Sequence, residues 1–221
     1  MNEIGPINQT KLFGLNNFLI ELVDLFEKNK LPNKILLSGQ KGLGKSTMAY
    51  HFINYVLSKN EKFEYNINNF EINSENSSFK TIINKSNPNL ILIDFNLEKK
   101  KIDINQVRDL IKNLNKSSFN QKPRFVLIDN IEFLNVNSVN ALLKVIEEPN
   151  YNVNFILINN NKKILPTLLS RCINFKIFLS HQESLEVIEK LLNCKLNEKI
   201  NNELITYYFT PVNIFNLIEL S

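Results

Sequence analysis

Eight consecutive residues, Gly39-Gln40-Lys41-Gly42-Leu43-Gly44-Lys45-Ser46, fit the pattern G-x-x-x-x-G-K-[ST]. Glycines at that spacing let successive backbone N–H groups converge on phosphate oxygens, while the positive end of a following helix adds to the attraction. The lysine reaches the outer phosphates and the hydroxyl can hold Mg²⁺. With Thr47, which follows directly, the expected nucleotide-binding set is Gly39, Gln40, Lys41, Gly42, Leu43, Gly44, Lys45, Ser46 and Thr47, for ATP or ADP with Mg²⁺. The rival reading is a plain glycine turn before a helix. Scarcity argues against it: three of only five glycines fall within six positions, and none follows Gly44.

A phosphate loop of this kind needs a carboxylate at the end of a neighbouring strand to hold Mg²⁺. Asp129 ends the apolar run Phe125-Val126-Leu127-Ile128, and Asp94 ends another, so both compete for the role. The expected Mg²⁺ residues are Ser46 and Asp129. Asn130 follows where a hydrolase commonly places Glu. Asn cannot take a proton, and losing a general base typically costs ~10²–10⁴ in rate. Binding and hydrolysis are therefore expected to part company in this chain. Arginine is the second scarce type, with Arg108, Arg124 and Arg171 the only three among 26 basic residues.

Periodicity supplies the elements that must carry these groups. Lys34–Ser38 reads as a short buried strand, and after the glycine loop comes a helix with Ala49, Phe52, Ile53, Val56 and Leu57 on its inner face. A polar stretch over 60–87 is left without assignment. Further strands are expected at Leu90–Asp94, Phe125–Asp129 and Phe155–Asn159, with a fifth from Phe175 to Leu179. Helices intervene, one carrying Val107, Leu110, Ile111 and Leu114, the next carrying Val139, Leu142, Leu143 and Ile146 and stopping before Pro149. Strands apolar on both faces that alternate with helices imply a parallel sheet covered on both sides, an α/β fold. From Ser180 the pattern turns helical, opening on Ser180-His181-Gln182-Glu183, a capping box. The expected division is an α/β nucleotide-binding domain over 1–179 and a small helical domain over 180–221.

Composition removes several function classes. The chain has 221 residues, 43% hydrophobic and 22% charged, which excludes a disordered, collagenous or disulfide-scaffold protein. The only histidines, His51 and His181, lie elsewhere in the sequence from Cys172 and Cys194, so no four-ligand zinc site is expected. No apolar run reaches the ~20 residues of a membrane span, and the start Met1-Asn2-Glu3 lacks signal-peptide form. A reducing cytoplasmic location is expected. A net charge of +4 does not demand nucleic acid as a direct partner, and the runs Lys99–Lys101 and Lys162-Lys163 read as solvated faces.

Two further segments, Asn137-Ser138-Val139-Asn140-Ala141-Leu142-Leu143-Lys144-Val145-Ile146-Glu147-Glu148-Pro149 and Leu165-Pro166-Thr167-Leu168-Leu169-Ser170-Arg171-Cys172, resemble the clamp-loader AAA+ subunits of bacterial DNA polymerase III. The resemblance runs from about Leu12-Phe13-Gly14 to the chain end. Within the family, Asn87-Pro88-Asn89, Gln106-Val107-Arg108 and the Asp129-Asn130 pair look more like delta-prime than like the gamma/tau motor. It implies an AAA+ P-loop domain with a parallel five-stranded sheet between helices, followed by a small helical lid. It also implies that Arg171 acts in trans as an arginine finger on a neighbour's ATP, the rival being a packed or salt-bridged surface arginine. Asn159 would be a polar sensor of the γ-phosphate, the rival being a strand-end turn residue. Other clamp-loader subunits of gamma/tau and delta type would be partners, with a sliding clamp and primed DNA reached through the assembly. The chain departs from the family pattern in three places. The four-cysteine zinc module is absent, no second sensor arginine stands at Thr210-Pro211-Val212-Asn213, and the 221 residues do not include the family's helical collar domain, so either a fragment or an unusually short member is expected. Weak or no hydrolysis at this chain's own site is expected, and a gamma/tau-like motor is the alternative.

Overall fold

A computed structural model describes residues 5–93, 101–115, 120–147, 152–196, 199 and 208–220. Five strands, β1 (Lys34–Ser38), β2 (Leu90–Ile93), β3 (Arg124–Ile128), β4 (Val153–Asn159) and β5 (Ile173–Lys176), form one parallel sheet in the order β2-β3-β4-β1-β5. Strand alternation divides the core into two layers. Ile35, Leu37, Phe125, Leu127, Ile156 and Ile158 point to one side, where they meet α1 (Asn16–Glu27) and α2 (Lys45–Leu57). Leu36, Val126, Ile128, Phe155 and Leu157 point to the other, against α4 (Ile104–Leu114) and α5 (Val136–Glu147). The expected doubly covered parallel sheet is what forms.

Boundaries shift where burial and pairing part. The fifth strand lies at Ile173–Lys176, not from Phe175 to Leu179. Its partner β1 ends at Ser38, so Ile177 N–H donates to the Ser38 carbonyl at 2.7 Å and nothing further along has a strand to pair with. Ile177 and Leu179 stay buried in the α1/α2 layer, which preserves the alternation that imitates a strand. The third strand begins one residue early, at Arg124, and stops at Ile128, leaving Asp129 just past its end. Asp94, Glu148 and Pro149 lie outside the described residues, and so do the expectations placed on them.

The unassigned stretch over 60–87 contains a helix, α3 (Ser77–Ile83), capped by Asn76, whose side chain accepts the Phe79 N–H at 2.7 Å. After the short α6 (Pro166–Leu169) and β5, the capping box at Ser180 and Glu183 forms as expected and opens α7 (His181–Leu192). That helix packs with α8 (Pro211–Leu220) around a separate small cluster of Ile188, Leu196 and Ile214. No helix among the described residues is long and apolar enough to cross a membrane.

His51 of α2 is fully buried, and burial pulls its pKa from 6.5 down to about 4. The unfolded chain therefore takes up a proton near pH 6.5 that the folded chain refuses until about 4. Stability should fall as pH drops through that window, by at most roughly 3 kcal/mol, and be insensitive to His51 above it. Urea titrations between pH 7 and 4 on the natural chain and on His51→Gln check this; the variant should show the shallower decline.

Candidate nucleotide site

The loop after β1 turns out of the sheet within one residue, and only glycine allows it at position 39. A Cβ there would stand 2.3 Å from the carbonyl oxygen of Ile177, just past the end of β5. Beyond Gly44, α2 begins at Lys45 with no side chain capping its first turn, so its amide end faces the cavity. The Lys45 residue is only 3% exposed. Its ammonium donates to the carbonyls of Gly39 (2.9 Å) and Gln40 (2.6 Å) and to Asn160 Oδ1 (3.0 Å). Three acceptors match the three donors of an ammonium group. Burial lowers its pKa from 10.5 to about 8, and the Asp129 and Glu132 carboxylates oppose that fall.

Ser46 Oγ donates to Asp129 Oδ2 at 2.5 Å, joining the two groups expected to hold Mg²⁺. Asp129 Oδ1 accepts the Asn130 N–H at 2.7 Å, while Asn130 itself turns through φ 57° into a 3₁₀ turn at Ile131–Phe133. Glu132 on that turn grips Asn160 twice, accepting its backbone N–H at 3.3 Å and its side-chain Nδ2 at 3.1 Å. Asn130 Oδ1 accepts from the same Nδ2 at 2.8 Å. Because Nδ2 is held by two acceptors, Asn160 presents its oxygen to Lys45.

Asn159, the sequence candidate for the sensor, is engaged elsewhere. Its Nδ2 donates to the Lys162 carbonyl at 3.0 Å and its Oδ1 accepts the Lys162 N–H at 3.3 Å, so its side chain closes the turn after β4. The polar group brought to the phosphate loop is Asn160, one residue on. Asn159 is the last residue of β4, and its side chain fills the strand-end turn role that was the rival to the sensor.

A cavity of about 300 Å³ lies over the loop. One end is polar, walled by Lys45, Ser46, Asp129, Asn130 and Asn160. The rest is mostly apolar and assembled from distant pieces: Pro6, Leu12 and Phe13, with Gln9 and Lys11, before α1, Val187 and Leu191 on α7, and Pro211 and Val212 on α8. A buried ammonium, a hydroxyl–carboxylate pair and an uncapped helix end beside an apolar slot fit a nucleotide and its Mg²⁺, with Ser46 and Asp129 as the residues that would hold the ion. Among the described residues no cluster of His, Cys, Asp and Glu could hold a metal by itself. Sequence reading missed Glu132, Asn160 and the segment over 6–13. Glu132 carried one legible signal, a carboxylate two residues after Asn130.

Arg171 lies far from this cavity by the logic of the sheet. The loop leaves the C-terminal end of β1 after Ser38, whereas Arg171 precedes Ile173, which pairs with Ile35 at the N-terminal end. Its guanidinium stands at the surface, side chain 36% exposed. One oxygen of Glu147 accepts from both Nε (2.8 Å) and a terminal nitrogen (2.6 Å), and NH1 donates to the Thr167 carbonyl at 2.8 Å. Of the two sequence readings, this geometry is that of the salt-bridged surface arginine. Burial pushes the neighbouring Cys172 thiol up to about 11, consistent with packing.

Residues 14–180 match the family described as "DNA polymerase III, delta subunit". Among curated proteins, the chain is 29% identical over 199 residues to DNA polymerase III subunit gamma/tau of Mycoplasma genitalium, covering 90% of this chain and 32% of that protein. It is 30% identical over 180 residues to DNA polymerase III subunit delta′ of Buchnera aphidicola subsp. Baizongia pistaciae, covering 78% and 52%. The chain spans only 32% to 57% of the length of these and a Buchnera gamma relative. Among solved structures, a gamma subunit-related protein of Thermotoga maritima superposes with TM-score 0.52 at 19% identity, over 81% of this chain and 55% of that one. The Thermotoga maritima RuvB Holliday junction branch migration motor does so with TM-score 0.51 at 16% identity, over 86% and 56%. The fold is the AAA+ form of the P-loop α/β architecture.

Gly42 supplies a test of the geometry alone. It sits at φ +89°, and a Cβ there would meet Thr210 Oγ1 at 2.6 Å and Val212 Cβ at 2.9 Å, while its carbonyl accepts the Val212 N–H at 3.4 Å. Gly42→Ala should cost about 1–3 kcal/mol. It should also speed hydrogen exchange selectively in 210–220, measured by denaturant unfolding and mass spectrometry.

Proposed function

Because the chain belongs to the DNA polymerase III clamp-loader family, we propose that it is a delta-prime-like subunit. It binds ATP or ADP with Mg²⁺ in its own loop and supplies Arg171 in trans to a neighbour's nucleotide. The assembly, with gamma/tau- and delta-type subunits, would load a sliding clamp onto primed DNA. The helices after Ser180 act as the lid over the nucleotide-binding domain.

The observation that carries this reading is the placement of Arg171 at the end of the sheet opposite its own phosphate loop. A guanidinium there serves a phosphate only if another chain brings it. Arginine suits the task because its rigid fork matches phosphate oxygens in a way ammonium does not. Glu147 and Thr167 pre-orient it, so little side-chain entropy is left to lose on docking. The exposed pair with Glu147 contributes little stability itself, ~0–1 kcal/mol for surface ion pairs.

Within the chain's own site, each residue has a task. Lys45 and the amide end of α2 neutralise phosphate charge, and Ser46 with Asp129 would hold Mg²⁺. Held there, the ion would supply charge stabilisation for the phosphates. Asn160, steered by Glu132 and Asn130, is the residue to report phosphate occupancy, since Lys45 must leave its oxygen to reach a phosphate. Asn130 offers no base, which fits nucleotide binding without efficient turnover. The alternative, a gamma/tau-like motor, draws support from the intact Lys45 and the Ser46–Asp129 pair.

Two measurements test the proposal. Arg171→Lys should leave this chain's stability and nucleotide affinity within twofold while slowing ATP hydrolysis by the reconstituted assembly ~10²-fold or more, since fingers in trans contribute ~10³–10⁵. An unchanged assembly rate removes the trans role. The isolated chain should show negligible steady-state hydrolysis; robust turnover abolished by Lys45→Ala would establish the motor instead.

A further inference from the structure

The polar segment between α2 and α3 has a mechanical connection to the nucleotide cavity. Residues 66–72 fold back on themselves through the Asn66–Glu71 antiparallel bridge, with N–H···O bonds of 2.9 and 3.0 Å. The outer edge of this fold pairs with the chain before α1. Leu12 N–H donates to the Phe70 carbonyl at 3.0 Å, Ile72 N–H donates to the Thr10 carbonyl at 2.7 Å, and Lys11 bridges Glu71.

His51 completes the attachment from below. Its Nε2 lies 3.1 Å from the Gln9 carbonyl oxygen, an acceptor only, so Nε2 carries the proton. Its Nδ1, 2.9 Å from Tyr65 Oη, therefore accepts from the phenol. Tyr65 is itself fixed, its backbone N–H donating to the buried Ser58 Oγ at 3.0 Å and its ring meeting those of His51 and Tyr55 edge-on. One buried chain of hydrogen bonds thus runs from the end of α2 through Tyr65 and His51 to Gln9. The residues it secures, Gln9, Lys11, Leu12 and Phe13, form a wall of the cavity over the phosphate loop.

We propose that His51 and Tyr65 are positioning residues for nucleotide base recognition. Together with the 66–72 fold they clasp residues 9–13 so that the apolar wall formed by Leu12 and Phe13 is seated before a purine arrives. The inference rests on the nucleotide-binding reading of the loop. It assigns the base to the apolar end because the phosphates are claimed by Lys45 and Ser46 at the other. A wall seated only part of the time lowers apparent affinity by the fraction competent. Phosphate contacts made by the loop do not depend on it.

Titration calorimetry of the full chain with Mg-ATP and with inorganic tripolyphosphate plus Mg²⁺ separates the two ends. His51→Leu, which removes the donor to Gln9, should weaken ATP binding about tenfold and shift tripolyphosphate binding by less than twofold. His51→Gln, whose amide nitrogen falls near the place of Nε2, should recover most of the loss. Tyr65→Phe, which keeps the ring, should fold if His51→Leu does not, and should raise hydrogen exchange over 5–13 and weaken ATP severalfold. Unchanged ATP affinity in folded variants, or equal losses for ATP and tripolyphosphate, overturns the clasp. If the natural chain binds tripolyphosphate as tightly as ATP, the base wall falls while the phosphate loop stands. If it binds neither, the nucleotide-binding reading fails and takes the clasp with it.

Discussion

A lysine ammonium taken almost wholly out of water is the constraint around which this molecule is arranged. Such a group is tolerated only if every donor finds an oxygen, and Lys45 finds three. Two come from its own loop, which fixes the curl after β1. The third comes from Asn160, which requires β4 to lie beside β1 in register, Ser38 opposite Asn159. The sheet order that places β4 next to β1 is therefore the arrangement that satisfies the buried charge. Asp129, just past β3, then lies close enough to ease the cost further.

Around that charge the cavity is assembled from three stretches with no proximity in sequence. The loop supplies the floor, residues 6–13 one wall, and α7 with α8 the opposite wall. Each wall packs on the main core, through Leu12 on one side and Val187 on the other, and is further tied by hydrogen bonds from the 66–72 fold and His51 and from Val212 to Gly42.

The sheet was legible because parallel strands buried on both faces have no way to write their sequence except as apolar runs, and Ile35–Leu37, Phe125–Ile128 and Phe155–Ile158 do so. The capping box at Ser180 was legible because it is local chemistry. What escaped was non-local. Nothing in Phe175–Leu179 announces that β1 stops at Ser38, and nothing in Asn159-Asn160 tells which of two identical residues turns the chain and which faces the lysine. The segment over 60–87 read as polar filler because its apolar anchors, Tyr65, Ile72, Phe79 and Ile82, are spread singly among asparagines. The pairing of residues 10–12 with 70–72 leaves no periodic trace at all.

A parallel sheet has two unlike ends, and this chain puts its phosphate cradle at one and Arg171 at the other. Any contact that brings the arginine of one protomer to the cradle of a like-shaped protomer is head-to-tail, joining two different faces. Contacts of that type cannot close on a two-fold axis; repeated, they generate a ring or an open spiral. In an open spiral, one terminal protomer has a cradle with no incoming guanidinium and the protomer at the other terminus has a guanidinium with nothing to serve. Were Arg171 to serve a neighbour as proposed, the polarity of the sheet would become the polarity of the assembly.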